Sequence, residues 1–182
     1  MNDRSSVRPV GGTLAAARAT LDQCARFLDG LRPDAYATPS EVIKGSTIGQ
    51  HVRHTLDHFA AALTAPVGGV IDYDHRERDT PVERAAGAAL SLVADLTGRL
   101  LDLDEHHLDR PVRVRLMLSG EGDAAEHTST LGRELAFAMH HAMHHHAMIA
   151  AIAREKGVNP PSDFGKAPST IHHERATLTI RG

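Results

Sequence analysis

A chain of 182 residues is long enough for one domain with a real core. Apolar residues make up 41%, aromatics only 3%, and tryptophan is absent, so the interior must be built from Leu, Ala, Val and Ile on closely packed helices. A net charge of −3 without a basic run gives no footprint for nucleic acid, and the lone Cys24 excludes an internal disulfide or a cysteine-rich zinc site.

The start, Met1-Asn2-Asp3-Arg4-Ser5-Ser6, leads into no uninterrupted apolar segment, and nowhere do 18 apolar residues follow one another. A soluble, cytoplasmic protein with no membrane partner is expected. From Thr13 to Leu31, the residues Leu14, Leu21, Cys24, Leu28 and Leu31 recur at helical spacing, and Pro33 stops the pattern. Cys24 falls on this apolar stripe and reads as a buried, inert thiol. After a loop with Pro39, Gly45 and Ser46, Thr47 and Gln50 form a capping-box signature for a second helix running to about Thr64. The polar stretch Asp72 to Asp79 reads as a long surface connection, a place where function often resides.

Thr80-Pro81-Val82-Glu83 opens a third helix, predicted to continue to about Leu103 through Leu90, Val93, Leu96 and Leu100. Pro111 to Leu118 alternates valine and arginine before the turn Ser119 to Asp123, so a short hairpin returning over Glu126 to Ser129 is expected. Ser129 or Thr130 caps the fourth helix, which ends near Gly157 ahead of Pro160 and Pro161. The fold class predicted is all-α: a four-helix bundle with a short β-hairpin or extended insertion before the last helix. It forms a single domain over 1–182, with the bundle at about 13–157 and an extended tail at 158–182, packed on the body or on a neighbouring subunit.

The fourth helix carries His140, His141, His144, His145 and His146, five histidines in seven residues. Ala142 and Met143 interrupt the run, and apolar residues flank it on both sides, which is unlike a terminal purification tag. On a helical wheel Leu135, Ala138, Ala142, Ile149 and Ile152 form one stripe, with His141 and His145 inside it. His144 lies at its edge, and His140 and His146 lie further round, toward solvent or a partner. Two imidazoles stacked on an apolar face must share a solution, and a divalent metal is the economical one.

The second helix offers His51, His54 and His58 beside its stripe of Ile48, Val52, Leu56, Phe59 and Leu63. The wheel ranks His51 and His58 at least equal to His54. A third imidazole from this group would leave an open coordination position, the arrangement of catalytic metal sites. Arg53 and Asp57 read as exposed, although Asp57 could accept a hydrogen bond from a ligand imidazole. His75, His106, His107, His127, His172 and His173 read as surface residues.

Ile48-Gly49, His54-Thr55-Leu56-Asp57 and His141-Ala142-Met143-His144-His145 together resemble the DinB/YfiT-like superfamily of metal-dependent helical proteins over most of residues 13 to 157. The resemblance implies a homodimeric four-helix bundle and the metal ligands His54, His141 and His145. His54 is selected by the spacing to Gly49 and Asp57, with His58 and His51 as alternative or additional ligands, and Asp57 and His144 behind them. It implies a divalent ion, zinc or nickel first and iron or copper also admitted. The partner implied is a small-molecule substrate. Characterised members use a low-molecular-weight thiol, in thiol S-transfer or maleylpyruvate isomerisation. The bound thiol or water would be activated for transferase or hydrolase chemistry. His58 or His144 is then the first candidate for a general base, and Arg53 for holding an anionic substrate. The competing readings are a noncatalytic, stress-associated metal-binding dimer and a plain structural bundle.

Overall fold

The computed structural model describes residues 12–75 and 77–180. The reading of Met1 to Ser6, Arg76 within the polar loop, and the last two residues of the tail lie outside them. Four long helices build the body: α1 (Gly12–Asp29), α3 (Ile48–Thr64), α5 (Ala86–Leu101) and α6 (Leu131–Glu155). The short helices α2 (Pro33–Ala37) and α4 (Pro81–Arg84) precede α3 and α5. The core is the aliphatic interior that the composition requires, with Leu21, Leu56, Phe59, Leu96, Leu100, Leu135 and Ile149 fully buried. Each such side chain contributes about 1.5–3 kcal/mol through removal from water. No helix among the described residues is long and apolar enough to cross a membrane.

The capping box at α3 is present: Thr47 Oγ1 accepts from the Gln50 backbone N–H at 3.1 Å, and Gln50 Oε1 accepts from the Thr47 N–H at 3.1 Å. That double cap fixes the first turn of the helix carrying three of the candidate ligands. Gly49, in this turn, is required by close approach. A Cβ there would lie 2.0 Å from the Glu83 carbonyl oxygen, so only glycine lets α4 settle on α3.

Three expectations need correction. The predicted third helix is broken at Ala85, whose φ of −139° and ψ of 121° are extended. Tertiary bonds compete with its continuation: the Tyr36 hydroxyl donates to the Val82 carbonyl at 2.5 Å, and Arg53 engages Glu83. The second correction concerns the all-α class. The hairpin exists, as β2 (Pro111–Met117) antiparallel to β3 (Ala124–Thr130), but β1 (Val70–Asp72) pairs in parallel with β2 to make a three-stranded sheet. A strand of three residues between Gly69 and a polar loop is too short to show alternation.

The third is the tail, which is not extended throughout. Phe164 inserts between Phe27 and His146, with ring centroids 4.6 Å from each, and the helix α7 (Pro168–Ile180) follows. Phe164 is 3% exposed and anchors the tail. Phe164→Ala is expected to cost about 3 kcal/mol, by cavity formation and the loss of both stacks, read as a lower urea midpoint with an unchanged m-value.

Candidate metal centre

The helices α3 and α6 pack side by side, and the histidines of each face the other. His54 Nε2 and His141 Nε2 stand 2.9 Å apart, and so do His51 Nδ1 and His145 Nδ1. His58 joins the first pair: its ring stacks on His141 at 4.0 Å, and ligand nitrogens of His54, His58 and His141 all lie within 4.8 Å of one another. The ring of His54 is central, 4.6 Å from His58, 4.8 Å from His141 and 4.5 Å from His145. The structure therefore brings together His51, His54, His58, His141 and His145. His144 stays at the rim, exposed, with its ring 5.3 Å from His145.

The tautomer of His58 follows from its partner. Its Nδ1 lies 2.9 Å from the His54 carbonyl oxygen, which can only accept, so Nδ1 carries the proton and Nε2 carries the lone pair that a metal would take. Behind it the His58 ring lies nearly parallel to Tyr73, 4.8 Å away, and Tyr73 donates to Glu134 at 2.8 Å. Glu134 is fully buried and also takes Ser129 Oγ at 2.5 Å and an Arg133 guanidinium N–H at 2.8 Å. Burial, together with the neighbouring carboxylate, pushes the Tyr73 phenol well above its ordinary range, so it remains a donor. Sequence reasoning missed Tyr73 and Glu134. Tyr73 sits in the polar loop, and Glu134 reads as an ordinary acidic first-turn residue.

Arg53 and His146 depart from their expected positions. Arg53 is 8% exposed rather than solvated, donating from Nε to Glu83 at 3.0 Å and from a terminal N–H to Asp57 at 2.7 Å. Two carboxylates thus answer its charge, which argues against its holding an anionic substrate. Asp57 takes one of these bonds. His146 is fully buried, because the returning tail lays Phe164 flat on it. His140 and the six histidines read as surface residues are exposed.

Burial disfavours the charged forms of His51 and His145. Burial, reinforced by His141 and the other nearby imidazoles, lowers His145 to about 3, and burial together with His144 lowers His51. Burial alone lowers His146 to about 4. Neutral imidazoles are the form that a metal binds. The sign of the linkage is fixed: between pH 6.5 and 4 the unfolded chain protonates His146 and the folded one does not. Stability is therefore full above about pH 6.5 and falls on acidification.

Chelator-treated protein is expected to lose roughly 3 kcal/mol across this window through His146. His146→Phe, which keeps the stack but carries no proton, should reduce the slope by that amount and leave the part that His145 and His51 contribute. Urea midpoints at about pH 7.5 and about pH 4 check this, and an equal slope in the variant would remove His146 as the cause.

A cavity of about 450 Å³ opens beside the cluster, lined by His51, His54, His145, Arg53, Asp79 and Glu83 among others. Every lining residue is polar or charged, so it suits a small hydrophilic molecule. The donor set fits a divalent ion: imidazole nitrogens converge from two helices, and the His51 Nε2 is buried without a hydrogen-bond partner among the described residues.

A family model described as the DinB superfamily matches residues 13–149. Among solved structures, the fold resembles YfiT from Bacillus subtilis, a probable metal-dependent hydrolase with an unusual four-helix bundle topology. That match has a TM-score of 0.53 and 18% identity, and it covers 81% of this chain and 87% of that one. Among curated proteins, the chain is 38% identical over 109 residues to FK506-binding protein 5 of Rhizopus delemar. The match covers 57% of this chain, and the chain spans only 27% of that relative's length.

Proposed function

The chain belongs to the DinB superfamily, and from that premise we propose that it is a metal-dependent enzyme of hydrolase or thiol-transferase type acting on a small polar substrate. The observation that carries the reading is the convergence of the His54, His58 and His141 nitrogens within 4.8 Å of one another, next to a polar cavity. In this reading His54 and His141 hold a divalent ion, zinc or nickel, with His58 or His145 as third ligand. One ion per chain is expected. Two dications about 4.5 Å apart would repel by roughly 15 kcal/mol at an effective dielectric of about 20, and imidazoles supply no anionic ligand to bridge them.

When bound, the ion supplies a Lewis acid that lowers the pKa of a water or thiol at its open position. The chain's own groups do the rest. The His54 carbonyl fixes the His58 tautomer, Tyr73 and Glu134 brace the His58 ring, and Arg53 ties α3 to Glu83 and Asp57. The cavity admits the substrate from the side of His51, His54 and His145.

Elemental analysis of tag-free protein, as purified and after dialysis against zinc or nickel, tests the first step. Well under one ion per chain would sink the proposal. Turnover of ester and thiol-conjugation substrates by loaded but not chelated protein tests the second. A loaded protein inert to both panels would favour a noncatalytic metal-binding role.

A further inference from the structure

Besides its histidines, the cavity beside the metal centre is lined by Arg53, Glu83, Arg78 and Asp79. The first two are already answered: Arg53 donates to Glu83 at 3.0 Å and to Asp57 at 2.7 Å. The other two are not. Neither the Arg78 guanidinium nor the Asp79 carboxylate has an ion pair or a side-chain hydrogen bond among the described residues, and the two do not pair with each other. Both are exposed and form part of the cavity rim.

Asp79 is not there by local preference alone. Its φ of 58° lies in the left-handed region, which no other described residue except glycine adopts. Tertiary bonding holds it: the Asp79 N–H donates at 3.1 Å to Glu83 Oε1, the same oxygen that receives Arg53, and Glu83 is 8% exposed. Backbone conformations of this kind persist where the surroundings over-determine them, and they gather at ligand sites. The buried pair thus positions the exposed one, since Arg78 is the next residue along the same bend.

A small molecule entering the cavity therefore meets one unanswered cation and one unanswered anion at the rim, with imidazole nitrogens within. A lone carboxylate there would face Asp79, and a lone ammonium would face Arg78. A head group carrying both charges satisfies the two residues together through charge-assisted hydrogen bonds. The volume of about 450 Å³ accommodates a molecule of that size.

We infer that the rim takes the head group of an amino-acid-like zwitterion, with Arg78 on its carboxylate and Asp79 on its ammonium, while the rest of the molecule extends toward the histidines. The inference names the substrate class for the metal-dependent reading above and rests on that reading.

Hydroxamates test it, because one metal-binding end can be joined to different heads. Calorimetry on protein loaded with one equivalent of zinc compares glutamate γ-hydroxamate, with a zwitterionic head, glutaric monohydroxamate, with a carboxylate alone, γ-aminobutyrohydroxamate, with an ammonium alone, and uncharged butyrohydroxamate. The set is repeated one methylene shorter, so that reach does not decide the result. The zwitterion is expected to bind about tenfold or more tighter than the uncharged probe, by a margin that shrinks as salt is raised. Arg78→Gln should remove most of that margin and leave the uncharged probe unaffected. Asp79→Asn should do the same, and asparagine tolerates positive φ, so only the charge is lost. Zinc content should match the parent in both variants, and Asp79→Gly replaces the asparagine variant if that one misfolds.

Equal affinity for the zwitterionic and uncharged probes, a singly charged probe that matches the zwitterion, or a margin that survives both substitutions would overturn the inference while leaving the metal-binding reading intact. A parent protein that takes up no zinc would overturn that reading itself.

Discussion

His54→Ala is expected to abolish the metal dependence of this protein's stability. The His54 ring lies within 5 Å of three other histidines, His58, His141 and His145, and His54 supplies one of the three nitrogens that lie within 4.8 Å of one another. An ion that binds the folded chain alone stabilises it by about 4 kcal/mol when free metal is about a thousandfold above the dissociation constant. For a domain of this size that corresponds to roughly 10 °C in melting temperature. The parent protein should show that gain when zinc is added to chelator-treated samples. The variant should show little of it, and its zinc content should fall below about a tenth of an ion per chain in the presence of a weak competing chelator. The apo forms should differ little, since His54 is only partly buried. A parent that melts at one temperature with and without zinc would leave the histidines as a structural seam. A variant that keeps the zinc gain would place the ion elsewhere.

The bundle was legible because its signals are local. The Thr47 and Gln50 cap, the apolar stripes of the long helices and the stop at Pro33 each lie within a few turns of chain, and helix periodicity reads them directly. The same wheel gives direction: His145 is buried, His141 half-buried and His140 exposed. It fails where another part of the chain decides burial. His146 points off the stripe of its own helix, yet is fully buried because Phe164, 18 positions on, covers it. Arg53 reads as a solvated helix residue, yet Glu83 from α4 draws it inward.

The strand β1 and the break at Ala85 have the same origin, since each is imposed by a distant partner rather than by its own sequence. The family resemblance selected His54 from three candidates, where the wheel left them open. The geometry adds a feature that neither could supply, the grouping of His58 with His54 and His141. That grouping depends on the rotamers of side chains from two helices, and on the wall made by Tyr73 from a third element.

Arg53 carries the second large expectation, and it concerns how α3 is held. Its guanidinium is 10% exposed and faces the Glu83 carboxylate, 8% exposed, at 3.0 Å, while Glu83 Oε1 also accepts the Asp79 backbone N–H at 3.1 Å. Removing one partner of a buried ion pair leaves an uncompensated charge out of water, which costs about 3–5 kcal/mol. Arg53→Leu is therefore expected to lower the melting temperature by roughly 10 °C, with zinc stoichiometry unchanged because no candidate ligand is altered. Glu83→Leu added to it removes the stranded carboxylate, and most of the lost stability should return, leaving the Asp79 N–H and the half-buried Asp57 as the residual cost.

The double-mutant cycle measures this directly. A coupling of about 2 kcal/mol or more identifies the pair as the clasp between α3 and α4, whereas additive losses would mean that each residue matters only through its own packing. The same cycle separates structure from recognition. If Arg53 acted on an anionic substrate instead, Arg53→Leu would weaken substrate binding without a large change in melting temperature, and Glu83→Leu would not restore it. The carboxylates already facing the guanidinium make stability the property expected to move.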